Sequence, residues 1–417
     1  MAKSFFRVLI PIIIFSSCAT TKKTADVPLK TQDEITKTTG QANATQIASQ
    51  TLSITFAGDI MAHAYNHNIT KYDKIWDGVR TYIADSDLAF GNIESPVDRT
   101  KAASTYPNFN MPERYVQAAI DAGFDVFSLA NNHSFDQFES GIRETIKAAT
   151  AITEKNAAQG NQVYFSGLKQ TKGDAYTYNI VEKNGWKILF LPVTGILNYP
   201  HDYALINYVR TSEKSHKEFA EYCKKLRSEN PCDLFIISMH ADEPEYKRPV
   251  LKSQRDFYLQ LLNEGCADVV WANHAHIIKD REFIFDSKTG RQKLIMYANG
   301  NTISAQRTQP TFDLETPMSE RDHTGDGLLY FVQFIKTKDG KTRYNESGEP
   351  ENPIQIKKAK PVFITTYINT AWEFVLKPLN QDFVNYLREV KRKDWERYIE
   401  RRIKINDEQT KDLITWQ

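Results

Sequence analysis

Cysteine is scarce, with four in 417 residues, and Cys223, Cys232 and Cys266 do not stand at the spacings of a zinc site. That excludes a disulfide-dense scaffold and gives no sign of cysteine catalysis. Cys232 and Cys266 each open an apolar run, which suits buried thiols; a Cys223–Cys232 disulfide is the alternative in an oxidising compartment. Charge of one sign is also missing. Lys plus Arg number 53 against 52 Asp plus Glu, a net charge of +1, so there is no electrostatic footprint for nucleic acid and none is expected as a partner. From Thr20 to Gln50 there is no aromatic residue, and Thr, Ala, Lys and Gln dominate. Such a segment cannot bury enough surface to offset its ordering entropy. Residues 19–50 therefore read as a disordered tether with a reach on the order of 30 Å.

A long apolar run is lacking at the N-terminus too. Val8 to Phe15, broken by Pro11, is too short to span a bilayer, and it follows the positive charges of Lys3 and Arg7. Those are the parts of an export signal over residues 1–18. Phe15-Ser16-Ser17-Cys18 resembles a bacterial lipobox, with Phe15 where Leu is usual. The resemblance implies cleavage before Cys18, lipidation of its thiol and new amino group, and an extracytoplasmic protein of the bacterial cell envelope held to the membrane by that anchor.

What the chain has, after Ser53, is one repeated rhythm: an apolar strand ending in a polar cluster. Leu52 to Ala57 runs into Gly58-Asp59, Asp87 to Phe90 into Gly91-Asn92-Ile93-Glu94, and Phe124 to Ala130 into Asn131-Asn132-His133. Leu234 to Met239 ends at His240, Val269 to Ala272 at Asn273-His274-Ala275-His276, and Leu294 to Ala298 at Asn299-Gly300-Asn301. Helix patterns lie between them: Pro112 to Ala122 stopped by Gly123, Asp136 to Ala149, and a helix capped by Ser253 and ended by Gly265. Asn184-Gly185 joins two alternating runs as a β-hairpin, so the sheets should be mixed. The expectation is an α/β fold with its chemistry at the carboxyl ends of the strands. The folded domain is placed at 51–340. Residues 341–417 read as a largely helical extension, capped by Asn380 and bearing a stripe of Phe383, Leu387, Val390, Trp395, Tyr398 and Ile399 that packs on the domain.

Singly, a histidine at a strand end is more often structural than a ligand. Here six strands deliver Asp, Glu, Asn or His at the same end. Carboxylate, amide oxygen and imidazole together suit a borderline divalent ion such as Mn, Fe, Zn or Co. His274 and His276 are two apart, so in an extended segment both would point to one side.

The order of these motifs resembles the CapA family of capsule or poly-γ-glutamate synthesis proteins. Gly58-Asp59-Ile60-Met61, Asn92-Ile93-Glu94-Ser95-Pro96, Ala130-Asn131-Asn132-His133 with Asp136, His240 with Glu245-Tyr246, Asn273 to His276, and Tyr297 to Asn301 carry the resemblance over about Leu52 to Phe334. It implies a layered sandwich of mixed sheets flanked by helices, similar to calcineurin-like metallophosphoesterases. It also implies one or two divalent ions, with Glu94 bridging and Asp59, Asn132, His240, His274 and His276 as further ligands. His133 would serve as the proton donor, Asp136 would orient it, and Asn92, Glu245 and Asn301 would lie at the site.

The sequence departs from the pattern at three places. No His stands two after Asp59, where His63 and His67 are the alternatives as ligand or surface residue. One residue is inserted between His240 and Glu245, and Ala272-Asn273 replaces a Gly-His pair. Two readings follow: a metal-dependent hydrolase of the envelope, or a non-catalytic component that binds an anionic polymer or envelope assembly proteins. Intact-mass analysis of the protein from bacterial membranes should show a chain that begins at Cys18 and carries acyl groups; an unacylated Cys18 would overturn the anchor.

Overall fold

Leu52, Ile54 and Phe56 are fully buried and alternate along the first strand, and this period of two sets the layering of the whole protein. The computed structural model describes residues 51–416 apart from 70, 200–202, 288, 311–319, 337–342 and 352. The expected export signal, Cys18 and the expected tether lie outside the described residues.

The strands in chain order are β1 (Thr51–Ile60), β2 (Leu88–Ile93), β3 (Val126–Ser128), β4 (Tyr164–Ser166), β5 (Asn179–Lys183), β6 (Trp186–Thr194), β7 (Leu234–His240) and β8 (Val269–Asn273). They continue with β9 (Arg281–Asp286), β10 (Arg291–Met296), β11 (Asn301–Ile303), β12 (Asp326–Lys336), β13 (Ile354–Ile368), β14 (Phe374–Pro378) and β15 (Asp412–Trp416). The longer helices are α1 (Glu113–Asp121), α2 (Phe138–Ala157), α3 (Glu213–Glu229), α4 (Lys252–Asn263), α5 (Gln381–Glu389) and α6 (Lys393–Gln409).

Two mixed sheets form. One has the order β14-β13-β12-β1-β2-β3-β4, with β11 also paired to β1, and the other β15-β9-β10-β8-β7-β6-β5. Their facing sides share a core of Phe56, Phe90, Phe190, Trp271, Met296 and Tyr330 among others. The Trp271 indole crosses that core to donate to the Ala57 carbonyl at 2.8 Å. On the outer faces, α1 and α2 bury Tyr115, Ala119, Ile142 and Ile152 against the first sheet, while α3 and α4 bury Phe219, Cys223, Phe257 and Leu261 against the second. The result is the expected α/β sandwich, two mixed sheets between helices.

Local signals are realised with a few shifts. Gly123 ends α1 at φ +116°, and Asn184-Gly185 turns the antiparallel β5–β6 pair with φ of 51° and 76°. Asn380 caps α5 by accepting from the Phe383 amide. Ser253, by contrast, sits inside α4, whose N-cap is Leu251. Cys223, Cys232 and Cys266 are free and buried. Among the described residues no helix is long and apolar enough to cross a membrane.

The extension is organised differently from the helical expectation. Residues 341–417 supply β13 and β14 to one sheet and β15 to the other, besides α5 and α6. The apolar stripe is broken at Lys391, φ 58°, which is why its register drifts between Val390 and Trp395. Two helices, not one, press Phe383, Leu387, Trp395 and Tyr398 onto Tyr367 and Phe374. Trp271→Ala should cost about 3–5 kcal/mol, because it opens a cavity between the sheets and removes a cross-sheet hydrogen bond; the denaturant midpoint should fall with the slope unchanged.

Candidate metal centre

Parallel pairing brings four strand ends together. In the first sheet Asp59 is in register with Asn92, and in the second His240 is in register with Asn273. Asp59 is fixed by a close approach of backbones. A Cβ on Gly58 would lie 1.9 Å from the Gly300 carbonyl oxygen, and that oxygen accepts from the Asp59 amide at 3.0 Å. Gly300 itself has φ +69°, so this contact requires glycine on both sides.

Glu94 lies one residue past β2, completely buried, with both carboxylate oxygens lacking a hydrogen-bond partner. Potential ligands surround it on two sides. On one, His240 Nε2 is 3.6 Å from Glu94 Oε1, 2.8 Å from Asn132 Oδ1 and 3.1 Å from His274 Nδ1. On the other, His276 Nε2 is 3.8 Å from Glu94 Oε1 while its Nδ1 is 3.4 Å from Asp59 Oδ2. Ligand atoms of Glu94, His240 and His274 all lie within 4.8 Å of one another, and so do those of Asp59, Glu94 and His276. Glu94 belongs to both groups.

The electrostatics fit a cation. Burial, then the charges of Asp59 and Glu245, push the Glu94 carboxyl well above its ordinary range. Burial and the neighbouring imidazoles push His240 well down, and burial with His276 takes His274 to about 3. Neutral imidazoles crowded beside a carboxylate without hydrogen-bond partners are a donor set that suits divalent metals. For His276, burial lowers the pKa, but the hydrogen bond to Asp59 and its charge more than offset it, and the net shift is upward. The residues present fit one or two divalent ions.

The remaining sequence candidates also converge. His133 Nδ1 is 2.6 Å from Asp136 Oδ2, which accepts as well from the Phe109 amide. Asn92 donates to Asp59 Oδ1 at 2.8 Å and stands 3.4 Å from His240 Nδ1, so it positions residues of both sheets. Glu245 reaches His276 Nε2 at 4.0 Å from the half-exposed rim. Asn301 Oδ1 is 3.0 Å from His276 Nδ1. His274 and His276 differ from the expectation of an extended pair. They follow β8 in a turn with φ of 105° and 56°, and each serves a different side of Glu94.

Neither His63 nor His67 enters either ligand group among the described residues. His63 accepts from the Ala305 amide and packs edge-on to Phe109, 5.0 Å away; burial and His276 lower it to about 3. Phe109 then meets the His133 ring at 4.7 Å. No pattern in the sequence pointed to Asn198, whose Oδ1 accepts from Asn132 at 3.2 Å and whose Nδ2 is 3.1 Å from His133 Nδ1. It sits in a loop with no motif, and only the contact reveals it.

A layered α/β protein with a buried carboxylate–imidazole cluster suited to divalent ions is thereby defined. Residues 53–306 match the family described as bacterial capsule synthesis protein PGA_cap, and the chain belongs to that family. It is 26% identical over 300 residues to the capsule biosynthesis protein CapA of Bacillus anthracis, covering 68% of this chain and 67% of that one. To the PGA biosynthesis protein CapA of Bacillus subtilis strain 168 it is 30% identical over 317 residues, covering 74% and 73%. Among solved structures, a hypothetical protein from Thermus thermophilus aligns with TM-score 0.37 and 17% identity over 75% of this chain and 98% of that one. A candidate 5′-nucleotidase from Staphylococcus aureus, in complex with α-ketoglutarate, aligns with TM-score 0.38 and 10% identity over 74% and 54%.

Because burial and the nearby carboxylates raise the Glu94 carboxyl, and Asp59 raises His276, while His240 and His274 are lowered, zinc binding should release protons from Glu94 and His276 rather than from His240 or His274. Affinity should therefore rise with pH until those raised groups have lost their protons, and calorimetry in two buffers of different ionisation enthalpy would measure the release.

Proposed function

We propose that this CapA-family chain is a lipid-anchored protein of the bacterial cell envelope. In this reading its cleft binds one or two divalent ions and hydrolyses a phosphoester or an amide-linked polymer during capsule or poly-γ-glutamate synthesis. The observation that carries the reading is the pair of unpartnered, buried oxygens on Glu94, set between two groups of metal-ligand residues. The capsule and PGA biosynthesis named for the Bacillus relatives support the pathway. The anchor rests on Cys18 and its preceding residues.

Divalent ions of the Mn, Fe, Zn or Co type would supply Lewis-acid stabilisation and water of lowered pKa. Asp59, Glu94, Asn132, His240, His274 and His276 would hold them. Asp136 holds His133 by its Nδ1, so a proton for a leaving group would come from Nε2 of the doubly protonated ring, whose charge the Asp136 carboxylate would stabilise. Asn198 accepts from the Asn132 amide and lies against the His133 ring, so the proton donor and a ligand are kept side by side.

A second reading, polymer binding without turnover, is favoured by one observation. The Asp59 side of Glu94 has His276 as the sole imidazole in its three-residue group, consistent with the missing histidine after Asp59. His133→Ala should lower hydrolysis of model phosphodiesters or polyglutamate by on the order of 10²- to 10⁴-fold with metal content unchanged, while Asp59→Ala should lower metal content. Hydrolysis unchanged in both variants would defeat the assigned roles, and full metal occupancy with no turnover would favour the second reading.

A further inference from the structure

The family match stops at residue 306, yet the helix at the far end of the chain reaches back toward the cleft. Trp395, Tyr398, Arg402 and Asn406 lie on one face of α6 and are all buried. That face grips the turn before β12. Arg402 Nε donates to Asp326 Oδ2 at 2.5 Å and Asn406 Nδ2 to the same oxygen at 2.9 Å. Tyr398 donates its hydroxyl to the Asp322 carbonyl, and Arg402 Nη2 is 2.9 Å from His323 Nδ1.

From that turn the contacts continue to a metal-site residue. The carbonyl of Thr324 accepts from Asn301 Nδ2 at 2.9 Å, and Gln306 Oε1 accepts from the same nitrogen at 2.8 Å. Two acceptors on one side of the amide fix which way it faces, so Oδ1 is the atom turned to His276 Nδ1, 3.0 Å away. That oxygen is the nearer of two acceptors on His276 Nδ1, Asp59 Oδ2 being 3.4 Å away, and an acceptor there requires that His276 carry its proton on Nδ1. Its Nε2 lone pair is then the one presented toward Glu94. A second route runs through Arg248, which stands 2.6 Å from His323 Nδ1 and donates to the Ile278 carbonyl, two residues past His276.

We propose that α6 is a distal positioning element of the metal centre: Arg402 and Asn406, through the 322–326 turn and Asn301, set the tautomer and orientation of His276. The role given to His276 rests on the metal reading of the cleft; the tautomer does not.

The experiment uses the full chain with ¹⁵N-labelled histidine, metal-free and at alkaline pH, where imidazoles are neutral. Long-range ¹H–¹⁵N spectra distinguish the two tautomers, and the His276 signals are those lost in His276→Gln. The native chain should show His276 with its proton on Nδ1. Arg402→Gln, the milder Asn406→Ala and the direct Asn301→Leu should each move it toward the Nε2–H form. Zinc affinity should fall about 10- to 100-fold in the same variants, whereas Phe219→Ala, which opens a cavity under α3 on the outer face of the second sheet, should leave the tautomer unchanged. A native His276 protonated on Nε2 would overturn the proposal, as would an unchanged tautomer in the α6 variants that fold. If the native chain takes up no zinc, the metal reading fails while the tautomer shift still decides the role of α6.

Discussion

Removing a carboxyl group from water without giving it a partner costs several kcal/mol, and a structure keeps such a group only where its surroundings cannot relax. Glu94 is in that position. Its backbone amide is tied to Ile60 across the β1–β2 pair, and the strands on either side are buried on both faces. The groups that face it are another carboxylate and imidazole nitrogens at 3.6 and 3.8 Å, beyond hydrogen-bond distance. The acid is therefore either neutral or neutralised by a cation.

Both sheets are needed to make the choice possible. Asp59, Asn92 and Glu94 come from one, His240, His274 and His276 from the other, and Asn92 touches a residue of each. The Gly58–Gly300 contact sets the depth at which Asp59 enters, and the Trp271–Ala57 hydrogen bond holds the two sheets at one spacing beneath it. The positive φ values of His274 and His276 are local strain carried by this rigid frame.

Much of this was legible in the sequence, for a physical reason. Asp59, Glu94, Asn132 and His240 each stand where an apolar strand gives way to polar residues, and parallel strands put such ends on one side. The left-handed turn at His274 and His276 was not legible, because spacing describes an extended chain and two backbone angles here depart from it. Asn198 and the Asn301–Thr324 contact were equally hidden, since loops meet through tertiary packing alone. The strands of the extension escaped notice for another reason. β13 carries Lys357, Lys358, Lys360 and Pro361 in its middle, where a strand pattern should be cleanest, and β15 is five residues long.

The pairing of β1 with β12 has a consequence for how the protein is made. Thr51 lies opposite Ile335, so the strand that emerges among the first of the folded part finds its antiparallel neighbour only after most of the chain has been synthesised. Contacts so distant in sequence slow folding, because a large loop must close before they form. A growing chain can therefore carry Asp59 and Glu94 for a long interval with the β1–β12 edge of their sheet still open. Over that interval chaperone access and the rate at which the chain emerges would govern the yield of folded protein.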